Sequence, residues 1–314
     1  ITLNNTNAFT GAVSLNTTGS SGHATVDNGI TALNLAASSV GGYLTLTSGH
    51  ASGIIDSGTV TVGGNLIATT DANNGVINLG TLAVDGTVQL TTNGSGNATV
   101  VNDAALNLAA STVGGNLSTT STNGYIKAQG GNRILTVGGT SSFTTLADNQ
   151  QINLDQANAF TGAVSVNATS WAQIKGGAGG TTLNMAASSA GGRLTLKSEG
   201  GITDSGTITA PSLNAITQAN NSAIHLDQLD IGGNGIRFQT HGTGNATGVN
   251  AGGFLVGVNG EGGMSVGGNL SATSTSGNIT DRGNSDSNTV SGTSTFTTSA
   301  SNADINLDNP NAFT

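Results

Sequence analysis

The amino-acid sequence predicts an all-β fold, a single-stranded parallel β-helix in which the chain winds as a solenoid. The first observation is a phrase, I-x-L followed by Asn-Ala-Phe-Thr, that begins at Ile1 and returns almost unchanged at Ile152 and Ile305. The second is that apolar and polar residues alternate with a period of two, and no stretch shows helical spacing. The third is a Gly followed by a short alternating strand, which recurs along the whole chain. Short strands that recur in this way are typical of the coils of a β-solenoid.

The opening phrase divides the chain into modules of similar length. Weaker copies begin at Ile77 and Ile224, so that successive openings follow one another at a nearly constant spacing. Because the best copies, at Ile1, Ile152 and Ile305, stand two modules apart, the pattern indicates duplication of a two-module block. We therefore predict one continuous array over 1–314, with modules 1–76, 77–151, 152–223 and 224–304, and with 305–314 opening the next module.

The Gly marks divide each module into coils. In the first module they stand at Gly11, Gly42 and Gly64, so that one long interval is followed by shorter ones. Reading every interval as one coil predicts three coils per module and about 12 coils of three short strands in the chain. The turns of the long coils, near Asn16–Gly22 and Thr91–Asn97, should then form a row at intervals of about 14 Å, three times the spacing between strands.

Composition excludes several classes of function. The formal net charge is −9 with only 7 Lys plus Arg, so the chain lacks the basic surface that neutralises nucleic-acid phosphates. It has no Cys, which excludes disulfides, thiol catalysis and Cys-ligated metals. No apolar run approaches the length of a membrane-spanning helix, which predicts that this segment does not insert into a membrane. No signal peptide precedes the repeat, and we expect the chain to be a window of a longer array with its secretion signal elsewhere.

A row of acidic residues invites comparison with enzymes, because parallel β-helices also form polysaccharide lyases. Such enzymes need several carboxylates around Ca²⁺ and a nearby Arg or Lys as the base. Asp56, Asp204 and Asp281 end equivalent strands, and Lys127 takes that place in the second module. At three coils apart these groups are too distant to share one ion, and Asp-Ser-Gly is ordinary turn chemistry. We predict no catalytic residue, no metal ligand and no cofactor.

Other polar residues also favour structural or surface roles. Several residues were considered as metal ligands, as a calcium-binding repeat coil or as an ice-binding surface, but they lack the regular spacing that each of these functions needs. They are the opening residues Asp155, Asp227 and Asp308; Gly232, Gly233 and Gly235 with Arg237 where a calcium-binding coil has Asp; the four histidines His23, His50, His225 and His241; and the T-x-T strands at Thr45 and Thr59.

Four equivalent positions are candidate surface contacts. Trp171 is the only Trp and precedes a strand in the third module, where the other modules have His23, Asn97 and Asn245. An exposed Trp171 would stack on a sugar face, whereas a Trp171 covered by the long turn would only pack; the sequence leaves both open. Asn97 and Asn245 also begin Asn-x-Thr glycosylation signals, which are expected by chance in a chain so rich in Asn, Ser and Thr.

A second set of phrases carries a family resemblance. LNLAASSVGG from Leu33 returns from Leu106 and, modified, from Leu183, together with GGNL at Gly63 and ITDSGT at Ile202. These phrases resemble the repeat regions of filamentous-haemagglutinin-like exoproteins, large bacterial surface proteins secreted through an outer-membrane partner or as autotransporters. The resemblance implies a right-handed parallel β-helix shaft on the cell surface or outside the cell, holding a functional tip away from the cell.

The expected function is therefore a non-enzymatic structural shaft of a secreted bacterial adhesin, acting in adhesion or biofilm cohesion. Its expected partners are a host or neighbouring cell surface, glycans among them. One alternative is a self-assembling extracellular filament or sheath subunit, with arrays associating end to end or side by side. A second alternative is an enzyme of the polysaccharide-lyase type.

Overall fold

A computed structural model describes residues 1–128, 130–283 and 287–313. The protein is all-β, and its strands pair in parallel as a β-solenoid of about 14 turns, which confirms the predicted fold class. The chain divides into two compact units, residues 1–162 and 163–314. Among the described residues the only helical element is a short 3₁₀ turn at Ala178–Gly180. None of the helical structure described is long and apolar enough to cross a membrane.

The first unit contains nineteen strands among its described residues. In chain order they are β1 (Thr2–Leu3), β2 (Ala24–Asp27), β3 (Leu33–Leu35), β4 (Ser38–Val40), β5 (Leu44–Ser48), β6 (Ile54–Asp56), β7 (Val60–Val62), β8 (Leu66–Asn73), β9 (Ile77–Val84), β10 (Thr87–Asn93), β11 (Ala98–Asn102), β12 (Leu106–Leu108), β13 (Ser111–Val113), β14 (Leu117–Ser121), β15 (Ile126–Lys127), β16 (Leu135–Val137), β17 (Ser141–Thr145), β18 (Ile152–Leu154) and β19 (Ala159–Phe160).

The described part of the second unit also contains nineteen strands. In chain order they are β20 (Val164–Ala168), β21 (Ala172–Gly176), β22 (Leu183–Met185), β23 (Ser188–Ala190), β24 (Arg193–Ser198), β25 (Ile202–Asp204), β26 (Ile208–Ala210), β27 (Ser212–Asn220), β28 (Ile224–Ile231), β29 (Ile236–His241), β30 (Ala246–Asn250), β31 (Phe254–Val256), β32 (Ser265–Val266), β33 (Leu270–Ser274), β34 (Ile279–Asp281), β35 (Thr289–Val290), β36 (Ser294–Thr298), β37 (Ile305–Asn306) and β38 (Ala312–Phe313).

Within each unit the chain alternates between two parallel sheets, which we call the first and the second sheet of that unit. In the first unit, the first sheet runs through β1, β2, β5, β8, β10 and then the short pairs β12/β13, β15/β16 and β18/β19. The second sheet runs through the pairs β3/β4 and β6/β7 and then β9, β11, β14 and β17. One passage through both sheets is one turn of the solenoid, and each strand pairs with the strand one turn later.

The second unit is built in the same way. Its first sheet runs through β21, β24, β27, β29 and the pairs β31/β32, β34/β35 and β37/β38. Its second sheet runs through β20, the pairs β22/β23 and β25/β26, and then β28, β30, β33 and β36. In most turns of both units one sheet carries a single strand and the other carries a split pair.

A module contains three and a half turns, so the prediction of twelve coils is wrong. In the first unit, the opening at Ile77 begins β9 in the second sheet, whereas the openings at Ile1 and Ile152 belong to the first sheet. The long interval from Gly11 to Gly42 contains one and a half turns, because the bridge of Val13 to Leu35, β2 and the pair β3/β4 all precede β5. Two modules make a whole number of turns, which returns the opening phrase to its original sheet.

The half turn also displaces the long turns from the predicted single row. In the first unit, the turn at 16–22 leads into β2 of the first sheet, and the turn at 91–97 leads into β11 of the second sheet. In the second unit, the turn at 167–170 leads into β21 of the first sheet and the turn at 241–245 leads into β30 of the second. Within each unit, successive long turns therefore occupy different edges of the solenoid.

The core consists of aliphatic columns, because alternation directs every second residue inward. In the first sheet of the first unit, one column runs through Val26, Leu46, Ala68 and Leu90, all 0% exposed. Many single strands end on a buried hydroxyl that donates to a carbonyl of the following turn, as Thr92 does to Gly96 at 2.7 Å. Such capping satisfies the buried polar groups at the corners.

Buried asparagines hold neighbouring turns together. Asn28, Asn102 and Asn250 each end an A-T-x-x-N phrase and are 0% exposed. Asn102 accepts the backbone N–H of Val84 at 2.8 Å and donates to the carbonyl of the same residue at 3.2 Å. The Asn side chain thus takes the place of a backbone partner for a residue of the neighbouring turn.

Candidate ligand-binding face

The carboxylates that were considered from sequence as a catalytic row, and for which no catalytic role was predicted, bind the backbone of the next module. Asp56 accepts the N–H groups of Gly80 and Thr81 at 2.9 and 2.8 Å. Asp281 accepts those of Asp308 and Asn309 at 3.2 and 3.0 Å. In both cases the two oxygens bind two consecutive N–H groups just after the next opening phrase.

Asp204 makes the same clamp in the second unit. Its oxygens accept the N–H groups of Asp227 and Gln228 at 3.1 and 3.0 Å. Burial raises the pKa of this carboxyl and the charge of Asp227 raises it further, while the two backbone donors lower it. A raised pKa is a property of catalytic acids, but here both oxygens point at backbone donors.

The carboxylates do not share a row, because modules alternate between sheets. In the first unit Asp56 lies in the second sheet and Lys127 in the first. In the second unit Asp204 lies in the second sheet and Asp281 in the first. The sequence correctly predicted that these residues end equivalent strands of their modules. The further inference that they share one face of the solenoid is wrong. Among the described residues, no group of three or more His, Cys, Asp or Glu could hold a metal ion.

Three of the four predicted surface positions cap the next turn. The side chain of His23 accepts the N–H of Tyr43 at 2.9 Å through Nδ1. Asn97 and Asn245 accept the N–H groups of Asn116 and Asn269 at 2.7 and 2.8 Å. These positions lie on different sheets within each unit, so the structure does not group Asn97 with His23 or Asn245 with Trp171.

Trp171 departs from this structural role. An indole has a donor and no acceptor, so it cannot receive the N–H of the next turn as His23 and Asn97 do. Its side chain precedes β21 and is 38% exposed. Trp171 is thus partly exposed. On the first unit, Tyr43 is another exposed aromatic residue, and its ring stacks on that of His23 with centroids 4.7 Å apart.

The other residues considered from sequence stay apart. His225 lies 3.5 Å from Asp227, its neighbour on β28, and His241 contacts the carbonyl of Thr217 at 2.8 Å. His50 accepts the N–H of Ser52 at 3.0 Å within its own turn. Asp155 accepts from Gln156 at 2.8 Å. Thr45 and Thr59 belong to different sheets of the first unit, Thr45 in β5 and Thr59 immediately before β7.

Four of the seven basic residues meet on one face of the second unit. Lys175 on β21 pairs in register with Lys197 on β24, so that two ammonium groups occupy neighbouring strands. Arg193 begins β24 beside Trp171, because Ala172 pairs with Leu194. Arg237 on β29 completes the set. We call this outer face of β21, β24, β27 and β29 the basic face.

Hydrogen bonds order the centre of the basic face. Arg237 donates to the Oδ1 atom of Asn214 at 3.0 Å, to Gln239 at 2.8 Å and to the carbonyl of Gly263 at 3.0 Å. Asn214 is only 1% exposed although it projects outward, because neighbouring side chains cover it. Burial lowers the pKa of Arg237, and the charge of Glu261 opposes that effect.

The two glutamates of the chain both serve the basic face. Glu199 lies 3.6 Å from Lys175, where it offsets the repulsion between the two lysines. Glu261 lies 2.8 Å from Arg193 and accepts from Asn214 at 3.1 Å. Glu261 belongs to a small hairpin, Gly257–Gly263, closed by an antiparallel bridge between Val258 and Gly262. Gly257, Gly260 and Gly262 have positive φ, which the tight reversal requires.

A groove of about 330 Å³ runs between the hairpin and the edge of the basic face. Its lining includes Arg193 and Ser212 from the sheet, Asn234 from the turn before β29, and Val258 and Asn259 from the hairpin. A larger concavity, about 780 Å³, lies at β28 and β31, but its lining consists of glycines, apolar residues, Asn278 and Thr280, with Asp230 as its single charged residue. The basic face therefore has the richer set of ligand-binding groups.

The comparison with known proteins adds a family. Repeats of unknown function (DUF5649) match residues 95–167, 173–237 and 243–314, more than half of the chain. The chain belongs to this family. No curated protein and no solved structure matches it.

The DUF5649 repeats locate the basic face within the array. All four basic residues of the face lie in the segment 173–237, whereas Glu261 lies in the segment 243–314. One repeat thus supplies the four cations and Glu199, and the next supplies Glu261. Sequence reasoning identified Trp171 and missed Arg193 and Glu261; the signal was the concentration of four of seven basic residues between 175 and 237.

Proposed function

We propose that the chain is a non-enzymatic structural shaft of a large secreted bacterial surface adhesin, acting in adhesion or biofilm cohesion. The observation that supports this proposal is the use of Asp56, Asp204 and Asp281. A general acid or a calcium ligand must direct an oxygen at the substrate or the ion. These carboxylates direct both oxygens at the backbone of the following turn.

The clamp suits an element that bears load along its axis. Asp56 lies 24 and 25 residues before the two backbone groups that it binds, which is about one turn. Contacts between successive turns are the main source of stability in solenoid proteins, because a single turn cannot bury its apolar face alone. Charge-assisted hydrogen bonds at the openings that begin at Ile77, Ile224 and Ile305 strengthen the junctions between those modules and the preceding turn.

The surface location and the right-handed coil are parts of the same proposal. They rest on the phrases LNLAASSVGG and GGNL, which resemble the shafts of haemagglutinin-like exoproteins. A right-handed sense is also the general rule for connections between parallel strands of one sheet.

Cell labelling tests the location. Antibodies raised against the purified chain are applied to intact and to permeabilised cells of the source organism. The proposal expects equal labelling of both preparations, and labelling confined to permeabilised cells would contradict it. Electron microscopy of the native material then distinguishes the alternative of a filament or sheath subunit: single shafts support the proposal, and continuous filaments support the alternative.

An activity assay tests the absence of catalysis. The purified chain is incubated with uronate polysaccharides, and the release of reducing or unsaturated ends is followed over time. We expect no release above a heat-treated control. Cleavage that is abolished by Asp204→Asn while the fold is retained would support the lyase alternative instead.

A further inference from the structure

Glu261 shows which ligand chemistry the basic face accepts. Its Oε1 atom lies 2.8 Å from Nη1 of Arg193, and its Oε2 atom accepts from Nδ2 of Asn214 at 3.1 Å. Arg237 donates to the other end of the Asn214 amide, which orients Nδ2 toward the carboxylate. Both oxygens of one carboxylate are thus bound by basic-face groups, and one of those groups is held in place by a second interaction.

The hairpin that carries Glu261 is anchored to the sheet by the hydrogen bond from Gly257 to Ile236 at 2.8 Å, whereas the Glu261 side chain itself is accessible to water. The bridge of the hairpin includes a long hydrogen bond from Val258 to Gly262 at 3.3 Å, and Glu261 donates back to Val258 at 3.1 Å. The side chains of Arg193 and Glu261 are 41% and 31% exposed, and ion pairs this accessible to water contribute little to stability. An external carboxylate that gains additional contacts can therefore displace Glu261.

The surroundings of Arg193 supply those additional contacts. Trp171 stands immediately before β21, level with Arg193 on the neighbouring β24 and about one strand spacing away, and it is partly exposed. An aromatic ring beside a carboxylate-binding Arg suits a sugar ring that carries an acid group, because the apolar face of a sugar packs against the indole. The groove offers the exposed Asn234 for a sugar hydroxyl group.

The remaining charges favour a ligand with more than one acid group. Lys175 and Lys197 lie further along the two strands, β21, which follows Trp171, and β24, which begins with Arg193. Four cations face two carboxylates on this surface, in a chain whose formal net charge is −9. A polymer with an acid group on every sugar matches this concentration of positive charge.

We propose that the basic face binds a uronate-containing polysaccharide, with a uronate carboxylate at Arg193 and Asn214 and the sugar ring on Trp171. Glu261 is an intramolecular competitor for the carboxylate position. The proposal goes beyond the structural role and does not depend on it, since a shaft with or without this site has the same fold.

The single Trp of the chain provides a direct measurement. The full 314-residue chain is titrated with trigalacturonate while tryptophan emission is recorded, and calorimetry measures the same affinity independently. We expect a saturable change in emission whose midpoint agrees with calorimetry. Galactotriose, which has the same ring without the acid, should bind at least about tenfold more weakly, since one charge-assisted pair is lost.

Variants assign the contacts. We expect Arg193→Gln to weaken trigalacturonate binding at least about tenfold and Trp171→Ala, measured by calorimetry, several-fold. Glu261→Gln should strengthen binding several-fold, because the competing carboxylate is gone. Arg133→Gln, on the first unit, is the matched control and should change the affinity less than about twofold. Circular dichroism verifies that every variant is folded.

Three outcomes would overturn the proposal. The first is equal affinity for trigalacturonate and galactotriose, or no binding of either by the wild type and by Glu261→Gln. The second is an affinity unchanged by Arg193→Gln or not raised by Glu261→Gln. The third is binding of dextran sulfate alone that Trp171→Ala leaves unaltered, which would indicate a nonspecific cationic surface.

Discussion

Asp56 binds Thr81 through both the backbone and the side chain. One carboxylate oxygen accepts the N–H of Thr81 at 2.8 Å and its hydroxyl at 2.9 Å, while the other accepts the N–H of Gly80. The three donors belong to the turn that follows Asp56. An Asp in a D-S-G turn therefore joins two modules in addition to shaping its own corner.

Asp56→Asn should destabilise the first unit by about 1–3 kcal/mol, because one of the two acceptor oxygens becomes an amide that faces a backbone donor. Urea denaturation followed by circular dichroism measures the loss. Asp85→Asn is the control, since Asp85 is exposed, and it should change the stability by less than about 0.5 kcal/mol. Equal effects of the two substitutions would contradict the clamp.

Asn102→Ala should destabilise the first unit by at least about 2 kcal/mol, because the N–H and the carbonyl of Val84 lose their side-chain partner inside the protein. Thermal denaturation compares this variant with Asn123→Ala, which removes an exposed amide. A loss of the same small size in both variants would show that Asn102 does not hold the neighbouring turn.

Phe143→Ala should cost about 3–5 kcal/mol, the usual range for a fully buried Phe. Phe143 is 0% exposed, and its ring meets that of Phe160 edge to face with centroids 6.0 Å apart. The loss is measured by urea denaturation. Phe9→Ala is the comparison, because Phe9 is only half-buried and should cost clearly less. A larger loss for Phe9 than for Phe143 would contradict the described core.

Asp71→Asn should stabilise the first unit near neutral pH. Burial raises the pKa of Asp71 above its ordinary value of 3.8, and the charge of Asp27 raises it further. A raised folded-state pKa means that the ionised carboxylate is less favourable in the folded than in the unfolded chain. The penalty is therefore fully present above the folded pKa and disappears as the pH falls through that pKa toward 3.8.

The measurement for Asp71 is the difference in urea midpoint between variant and wild type at several pH values. The variant should gain at neutral pH and lose its advantage in acid. Added salt should reduce the part of the gain that comes from Asp27, because salt screens exposed charges. A gain that persists below pH 3.8, or a loss at neutral pH, would contradict the assignment.

The sequence by itself determined that the protein is an all-β solenoid. Alternation in phrases such as L-x-L assigns Leu33 and Leu35 to the inside, and both are 0% exposed. It also placed Asp56, Asp204 and Asp281 on equivalent strands, and it marked Trp171 as the unusual member of a set of four.

Only the tertiary structure decided how many turns a module contains. A period of two says which side of a strand faces the core, but it does not say to which of two sheets the strand belongs. The interval from Gly11 to Gly42 therefore looked like one long coil and contains one and a half turns. That half turn moves successive modules to different sheets and separates carboxylates that looked aligned.

The basic face depends on tertiary structure for the same reason. Arg193 and Glu261 are far apart in the sequence, and their contact needs the stacking of β24, β27 and β29 and the reversal of the hairpin at 257–263. No local sequence pattern predicts this contact, because the number of residues in each turn determines which side chains become neighbours. The charged residues can be read from the sequence, but the winding of the solenoid determines that Arg193 and Glu261 are in contact.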